Sequence, residues 1–383
     1  MRWLLSLQID EHRQYWTDPQ RVTCLATAIA QVVRPGDVVV DLASGSGILG
    51  LFACRAGASK VYSIDGGGMV SIGRNLALAN GFADRMTVIK GFSTQVSLPE
   101  KADVLIADQI GNFGFNAGLF EFYADAVHRF LKPLARTLPE SIALELAPWE
   151  SDSHHQNVEF WSGVPYGFDT GSVLPLAQNT GYQDTFSPEG VLGSVIASPP
   201  FTLNPPTAGS LVFSGVSTFQ RTGSFHGVVG WFRANLTDNV EMTNNPLVSH
   251  RIQRRQVFFP FRRSIPVAPG ETLRLDVAAQ PVEILVNLRA RIYSAAGECK
   301  FDERHSTFLG MLLPAEDLQR TDPAFKPRLT RRGLARRDAI ALFDGNNSVA
   351  SIAQVLLSSY PDLFSSEAPA RLFVTEITTR YSE

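Results

Sequence analysis

Two carboxylates flank a turn of small residues near the start of the chain. Asp41 lies in the apolar run Val38–Leu42, and the turn Ser44-Gly45-Ser46-Gly47 follows it. Asp65 follows directly after a second apolar run, Lys60–Ile64. A strand, a small-residue turn, a helix and a second strand ending in an acid form the first βαβ unit of a Rossmann-like sheet, where backbone can approach a ligand. The spacing predicts a nucleoside site, with Asp65 suited to a ribose diol.

The same turn argues against a dinucleotide. It lacks the glycine spacing of a dinucleotide fingerprint, and Asp41 would meet a pyrophosphate placed there. The pattern therefore favours S-adenosyl-L-methionine (SAM) over a nicotinamide cofactor. The alternative from the turn alone is that its glycines only close a packing contact.

Composition limits the classes of partner. The chain has 383 residues, with 34 Lys and Arg against 37 Asp and Glu, a net charge of −3 that does not favour nucleic acid. Cys24, Cys54 and Cys299 have no metal-ligand spacing, which predicts a reducing compartment and no metal site. The sequence shows neither a membrane-spanning apolar run nor a signal-peptide pattern, so we expect a cytoplasmic protein without a membrane partner.

The pattern of apolar residues changes along the chain. Up to about residue 146, short apolar runs alternate with helical stretches, as in a parallel α/β sheet. After Pro148, alternating strands and Gly/Pro/Asn turns predict an antiparallel barrel or sandwich, and residues 338–381 are helical again. The predicted fold is α/β plus all-β: a Rossmann-like SAM-binding domain at 1–147, a β-barrel domain at 148–318, and a linker with a small helical segment at 319–383.

Several segments occur in the order found in one family. His12, Asp18 and Arg21 have the spacing of its N-terminal helix, residues 41–49 follow its first motif, and Gly91–Pro99 matches its adenine-contacting segment. With the Leu138-Pro139-Glu140 junction and a following β-barrel, the chain resembles the protein arginine methyltransferases over about residues 10 to 295.

The β-domain carries the segment that separates this family from other methyltransferases. Phe160–Asp169 is similar to the family's Trp-x-x-Val-Tyr-Gly-Phe-Asp segment, and the residues after it correspond to a dimerisation arm. The resemblance implies that residues 148–318 bind substrate and dimerise, so that the protein is a homodimer.

The resemblance also implies the cofactor and its ligands. SAM is expected as the sole cofactor, with S-adenosyl-L-homocysteine as product, and Arg21 is expected to pair with the methionine carboxylate. The cofactor-binding residues predicted in this way are Arg21, Asp41, Ala43, Ser44, Gly45, Gly47, Asp65, Gly66, Phe92, Ser93 and Asp108.

The acceptor region departs from the family. Its members hold the substrate guanidinium with two glutamates; here Asp108 stands at the first position and Ala117 at the second. Losing one charge-assisted hydrogen-bond partner would weaken guanidinium binding by roughly 1.5–3 kcal/mol. Glu121 lies about one helical turn further on and would substitute only in a remodelled loop. In the family's Thr-His-Trp loop, His250 remains and Arg251 replaces the Trp.

Asp108, His250 and Asn112 are the predicted catalytic residues. Asp108 would orient the acceptor as an electrostatic aid or general base, Asn112 would donate a neutral hydrogen bond, and His250 would complete the pocket from the barrel side. The first hypothesis is SAM-dependent N-methylation of a peptide or protein side chain. The alternatives are a small-molecule methyltransferase on the same scaffold and a catalytically weak SAM-binding scaffold protein.

The C-terminal segment has two interpretations. Residues 342–353 and the following helix resemble the helical half of small winged-helix domains, similar to PqqD, that bind leader peptides. The favoured local interpretation is that Asp344-Gly345 turns a corner and Ser348 caps an amphipathic helix packed on the barrel.

Overall fold

The computed structural model describes residues 9–204 and 209–382. The chain divides into two compact units, one ending at Met311 and the other beginning at Leu312. The predicted boundaries differ from this division. The boundary at 147/148 falls inside the strand Ser141–Trp149, and the one at 318/319 falls inside the helix Ala315–Arg320. That strand pairs along its whole length with another strand of the first unit, so its hydrogen bonds carry the fold across the predicted junction.

A five-stranded parallel sheet forms the first half of the larger unit. Its strands are β1 (Val38–Leu42), β2 (Lys60–Asp65), β3 (Met86–Lys90), β4 (Ala102–Ala107) and β5 (Leu131–Leu138). Their order in the sheet is β3-β2-β1-β4-β5. All five residues of β1 are buried, because helices cover both faces of a parallel sheet. The predicted Rossmann-like sheet is confirmed.

Among the described residues, five α-helices accompany this sheet. They are α1 (Ile9–Thr17), α2 (Pro19–Val32), α3 (Ile48–Arg55), α4 (Val70–Ala79) and α5 (Leu119–Phe130). Asp18 caps α2 by accepting a hydrogen bond from the Arg21 N–H, and Pro19 stands at the first helical position. This cap fixes where Arg21 leaves the helix, one turn from its start.

The second half of the larger unit is antiparallel. Its strands are β6 (Ser141–Trp149), β7 (Tyr182–Asp184), β8 (Ile196–Ala197), β9 (Phe201–Thr202), β10 (Leu211–Thr218), β11 (Gly223–Thr237), β12 (Val240–Thr243), β13 (Gln256–Val267), β14 (Thr272–Gln280), β15 (Leu285–Tyr293) and β16 (Cys299–Ser306). One sheet has the order β7-β13-β11-β6-β8, with β12 on β11 and β9 on β6, and the other has the order β10-β14-β15-β16.

Apolar side chains from both antiparallel sheets share one core with the parallel sheet. Phe301 packs edge-on against Phe225 and Phe261 at ring-centroid distances of 5.7 and 5.9 Å, and Phe113 of the first half packs on Phe259 at 5.4 Å. Among the described residues, the pairing does not close into one hydrogen-bonded ring. The predicted β-barrel domain is therefore two facing antiparallel sheets around a common core.

Two short helices, α6 (Asp152–Glu159) and α7 (Leu174–Ala177), lie between β6 and β7. The segment between them exposes large apolar side chains, with Tyr166 at 97% and Phe168 at 72%. These belong to the stretch that the sequence places beside a dimerisation arm.

The smaller unit is helical, as predicted. Its helices are α8 (Ala315–Arg320), α9 (Arg331–Ala341), α10 (Val349–Ser359) and α11 (Glu367–Tyr381), and α9 to α11 enclose a separate apolar core. Asp344 accepts from the backbone N–H groups of Asn346 and Asn347, and Ser348 caps α10 through the Ser351 N–H. The turn and the cap of the local interpretation are thus present, whereas α10 buries its apolar residues in this separate core and not, as predicted, on the barrel. Among the described residues, no helix is both long and apolar enough to cross a membrane.

Candidate active site

A cavity of about 800 Å³ lies at the carboxyl edge of the parallel sheet. Its walls come from α1 and α2, from the segments that follow β1 to β4, and from residues 253–255 in front of β13. Ligands of parallel α/β sheets bind outside the carboxyl ends of the strands. We call the part of the cavity at the β1–β3 edge the cofactor half and the part beside β4 and β13 the acceptor half.

The turn after β1 needs left-handed backbone at three places. Ala43, Gly45 and Gly47 have φ values of 50°, 53° and 80°. A Cβ on Gly45 would lie 3.1 Å from the His12 ring, which closes over the turn. The turn therefore presents bare backbone to the cavity, and Ala43 carries the strain that a glycine avoids.

Asp65 stands at the end of β2, where the sequence predicted it. Its Oδ2 accepts from the Gly45 N–H at 2.9 Å and its Oδ1 from the Gly67 N–H at 2.6 Å. A carboxylate has about four acceptor sites, so these two bonds fix its orientation and leave capacity for ligand hydroxyls. Gly66 lines the cavity beside it.

Asp41 and Gly47 support the turn from behind and do not line the cavity. Asp41 is fully buried, its Oδ2 accepts from the Gly50 N–H at 3.0 Å and from Ser63 Oγ at 3.3 Å, and its Oδ1 has no partner. Burial raises the pKa of Asp41 to about 7, despite those hydrogen bonds. A Cβ on Gly47 would lie 2.6 Å from Met86 Cε. Both residues shape the start of α3.

The predicted adenine segment lies at the far wall. Phe92 is 38% exposed at the cavity surface, Ser93 is buried, and both line the cavity together with Leu49 and Ile64. The Arg129 guanidinium donates to the Ser93 carbonyl and holds the segment in place. An apolar wall with an exposed ring edge suits a flat aromatic base.

Arg21 and Asp108 meet where the two halves of the cavity join. Arg21 Nε donates to Asp108 Oδ2 at 2.6 Å, and Arg21 Nη1 donates to the Tyr15 carbonyl at 2.7 Å. The two side chains are 8% and 7% exposed. The sequence placed both residues in the site, with Arg21 as a carboxylate ligand and Asp108 as the acceptor residue.

Arg254 is the residue that sequence reasoning missed. Its Nη2 lies 3.2 Å from Asp108 Oδ2, its Nη1 lies 3.5 Å from Oδ1, and Nη1 also donates to the Gly111 carbonyl at 3.3 Å. Burial alone would raise the pKa of Asp108, but the charges of Arg254 and Arg21 and their hydrogen bonds hold it below its usual range. The sequence signal was the basic run before Val257, but spacing alone did not say which arginine turns inward.

Two loops are fixed to each other beside this contact by Asn244. Its side-chain nitrogen donates to the Asn112 carbonyl at 2.9 Å and to the Arg255 carbonyl at 2.7 Å, and it is fully buried. On the other side, Asp18 Oδ2 accepts from the Gln253 N–H at 2.7 Å. Arg254 is therefore held between loops of fixed position.

The other predicted acceptor residues are dispersed. Asn112 lines the cavity, and its side chain donates to Gln183 Oε1 at 2.7 Å. His250 is exposed and does not line the cavity; Gln253, Arg254 and Arg255 take that place. Glu121 is exposed in the first turn of α5, whereas Ala117 does line the cavity.

The cofactor half fits SAM. Ser44 Oγ is buried at the cavity wall without a hydrogen-bond partner, Asp65 has spare acceptor capacity for a ribose diol, and Arg21 can pair with an amino-acid carboxylate. Among the described residues, no three His, Cys, Asp or Glu side chains come together in a way that could hold a metal ion.

Comparison with known proteins gives two matching families. Residues 17–114 match the family described as ribosomal protein L11 methyltransferase, and residues 142–291 match the arginine methyltransferase oligomerization subdomain. The second match decides between a general methyltransferase and this particular two-part architecture. The chain is protein arginine methyltransferase (PRMT)-like.

Individual relatives agree with this. The PRMT-like chain is 42% identical over 118 residues to probable histone-arginine methyltransferase 1.3 of Arabidopsis thaliana, covering 30% of the chain and 22% of that relative. It is 27% identical over 251 residues to protein arginine N-methyltransferase 1 of Chlamydomonas reinhardtii, covering 64% and 72%. The first match therefore concerns a segment of its relative.

A solved structure has the same fold. The PRMT1 enzyme–prozyme heterotetramer of Trypanosoma brucei, in complex with AdoHcy, superposes with a TM-score of 0.70 at 20% identity. The match covers 78% of the PRMT-like chain and 98% of that chain. The chain thus has the same fold as that structure, with a parallel α/β half joined to an antiparallel half.

Proposed function

We propose that this PRMT-like protein is a SAM-dependent methyltransferase that methylates a side chain of a peptide or protein. The observation that carries the proposal is one cavity in which the Arg21–Asp108 pair lies between residues that fit SAM and residues 253–255 of the antiparallel half. Lining from the antiparallel half gives an acceptor a place beyond the cofactor.

The residues divide the work between binding and alignment. When bound, SAM supplies a methyl group on a sulfonium, which a nucleophile takes by in-line displacement. Arg21 pairs with the methionine carboxylate, Asp65 accepts from the ribose hydroxyls, and Phe92 packs on the base. Residues 253–255, which precede β13, shield the reacting atoms from water.

Asp108 positions the two arginines around it. Its oxygens accept from Arg21 Nε and from both Arg254 terminal nitrogens, and its low pKa makes it a weak proton acceptor. A role in orientation and charge balance therefore suits it better than a role as general base. The nitrogen acceptor stays a prediction from the sequence resemblance.

A homodimer in a reducing compartment is part of the proposal. The exposed Tyr166 and Phe168 lie beside the predicted arm, and a match to an oligomerization subdomain covers that region. Cys24, Cys54 and Cys299 are free thiols, which fits the cytoplasm.

The test is transfer from methyl-labelled SAM into a size-fractionated cell extract, with labelled residues identified by mass spectrometry. Asp65→Ala should lose SAM affinity and labelling together, whereas Asp84→Ala, an exposed aspartate, should change neither. Label on polypeptide supports the proposal, and label confined to small molecules would instead support a small-molecule methyltransferase.

A scaffold protein is the second candidate. It is favoured by Ala117 and by the occupied oxygens of Asp108, which weaken a guanidinium site. Measurable SAM binding without any transfer, combined with stimulation of a second methyltransferase, would establish it.

A further inference from the structure

The acceptor half of the cavity has lost its free carboxylate. A guanidinium acceptor needs an acidic group with unoccupied oxygens. Asp108 already accepts from Arg21 and Arg254, and Ala117 contributes no oxygen where a second acid would stand. Neither Asp108 nor Ala117 therefore offers a free carboxylate oxygen to a cationic side chain.

Positive charge has replaced the missing acid. The charged groups that face this half are Arg21, Asp18, Asp108, Arg254 and Arg255. Asp18 is buried and accepts from two backbone N–H groups, those of Arg21 and Gln253. Arg255 is exposed and lines the cavity, and no ion pair joins its guanidinium to a carboxylate of the described residues. A cation entering here meets more positive than negative charge.

We propose, resting on the proposed function, that the acceptor is a carboxylate of a peptide or protein, which becomes a methyl ester. Arg255 recognises it, since a guanidinium fork matches a carboxylate in shape and charge. Arg254 contributes by neutralising Asp108, whose charge would otherwise repel the carboxylate. The neutral side chains of Gln109 and Asn112 line the same wall and supply further hydrogen bonds.

The chemistry agrees with a site that has no available base. A lone pair of a carboxylate oxygen forms the new C–O bond to the methyl carbon while the C–S bond breaks. The sulfur keeps that electron pair, so the sulfonium becomes a neutral thioether and the carboxylate a neutral ester. No proton is released, whereas a guanidinium must lose one to Asp108 or to water.

The experiment uses the full chain, methyl-labelled SAM and matched synthetic peptide pools. One pool has Asp and Glu with amidated C-termini, one has Asn and Gln with free C-termini, one has Arg with amidated C-termini, and one has neither acid nor arginine. Fractionated extract polypeptide is a fifth substrate. Alkali releases label from methyl esters as volatile methanol and leaves N-methyl groups in place.

We expect label that alkali releases, on a carboxylate pool, at about tenfold or more above the Arg pool. The first two pools distinguish a side-chain acceptor from a C-terminal one. Arg254→Gln should lower that transfer by about tenfold or more, Arg254→Lys by less, and Arg254→Glu should shift the preference towards the Arg pool. Arg274→Gln, an exposed arginine of β14, is the matched control and should change nothing.

Binding of S-adenosylhomocysteine in each variant shows that the fold is intact. Alkali-stable label on arginine would overturn the carboxylate inference and leave the proposed function standing. An unchanged ratio of acidic to Arg labelling in Arg254→Gln would overturn the inference as well. No label on any pool or extract polypeptide, with SAM bound, would overturn both.

Discussion

The carboxyl group behind the cofactor half of the cavity and the one in the acceptor half have opposite pKa shifts. Behind the cofactor half, Asp41 is fully buried and forms no ion pair, and burial raises its pKa to about 7. In the acceptor half, the side chain of Asp108 is 7% exposed, but the charges of Arg254 and Arg21 keep its pKa low. The two carboxyls lie near the ends of neighbouring strands, so their opposite pKa shifts come mainly from their partners.

The difference indicates which half of the cavity can vary in its residues. The turn after β1 and Asp65 must fit one cofactor, and their spacing follows the pattern of a nucleoside-binding βαβ unit. The acceptor half must fit whatever is methylated, and there Ala117 and Arg254 have altered its charge. A shared scaffold therefore says more about the methyl donor than about the acceptor.

The largest expected effect is on stability, when the charge of Asp108 in the acceptor half is removed. Asp108→Asn leaves two buried arginines without their anion and should lower the free energy of unfolding by about 3–5 kcal/mol. Adding Arg254→Met should restore part of that loss, with a coupling energy of about 0.5–3 kcal/mol. Urea unfolding of the two single variants and the double variant measures both quantities.

Asp302→Asn is the control for this cycle, because Asp302 pairs with Arg289 at 40% and 39% exposure. An exposed pair of this kind contributes about 0–1 kcal/mol. If Asp108→Asn cost no more than Asp302→Asn, the acceptor half would not be a buried ion network.

An intermediate effect separates the two halves by pH. The folded-state pKa of Asp41 lies near 7, above the unfolded value of about 4, so its contribution to stability is full below about pH 4 and is lost as pH rises through 7. Asp108 has a lowered pKa, so its contribution is present above about pH 4 and is lost only in stronger acid.

Asp41→Asn should therefore gain stability relative to the parent protein between pH 4 and 8, by on the order of 2–4 kcal/mol. Urea unfolding at several pH values measures the gain. Asp84→Asn, at an exposed aspartate, should follow the parent curve. A flat difference between Asp41→Asn and the parent would mean that Asp41 titrates normally.

The smallest expected effect concerns Ala43, in the turn after β1 in the cofactor half. Its φ of 50° strains any side chain, so Ala43→Gly should stabilise the protein by about 0.5–1 kcal/mol. Ala79→Gly, in the last turn of α4, should instead destabilise it by about 0.5–1 kcal/mol. Thermal unfolding of both variants gives the two signs, and equal signs would contradict the strain at Ala43.

The predictions from sequence succeeded where local pattern decides structure. The strands β1 to β4, the helix that ends before β5, the antiparallel second half and the Ser348 cap all follow from periodicity and turn residues. Domain boundaries were less accurate, because β6 pairs with β11 across the predicted junction. Sequence spacing does not report such pairing.

The sequence by itself determined the cofactor half, since its parts are close along the chain. Gly45 and Asp65 are 20 residues apart and belong to one βαβ unit, whose geometry is nearly fixed by its residues. Tertiary structure decided the acceptor half. Asp108 contacts Arg21, which is 87 residues away in the sequence, and Arg254, which is 146 residues away. Only the packing of residues 253–255 against α2 and the end of β4 selects Arg254 over its neighbouring arginines and over His250.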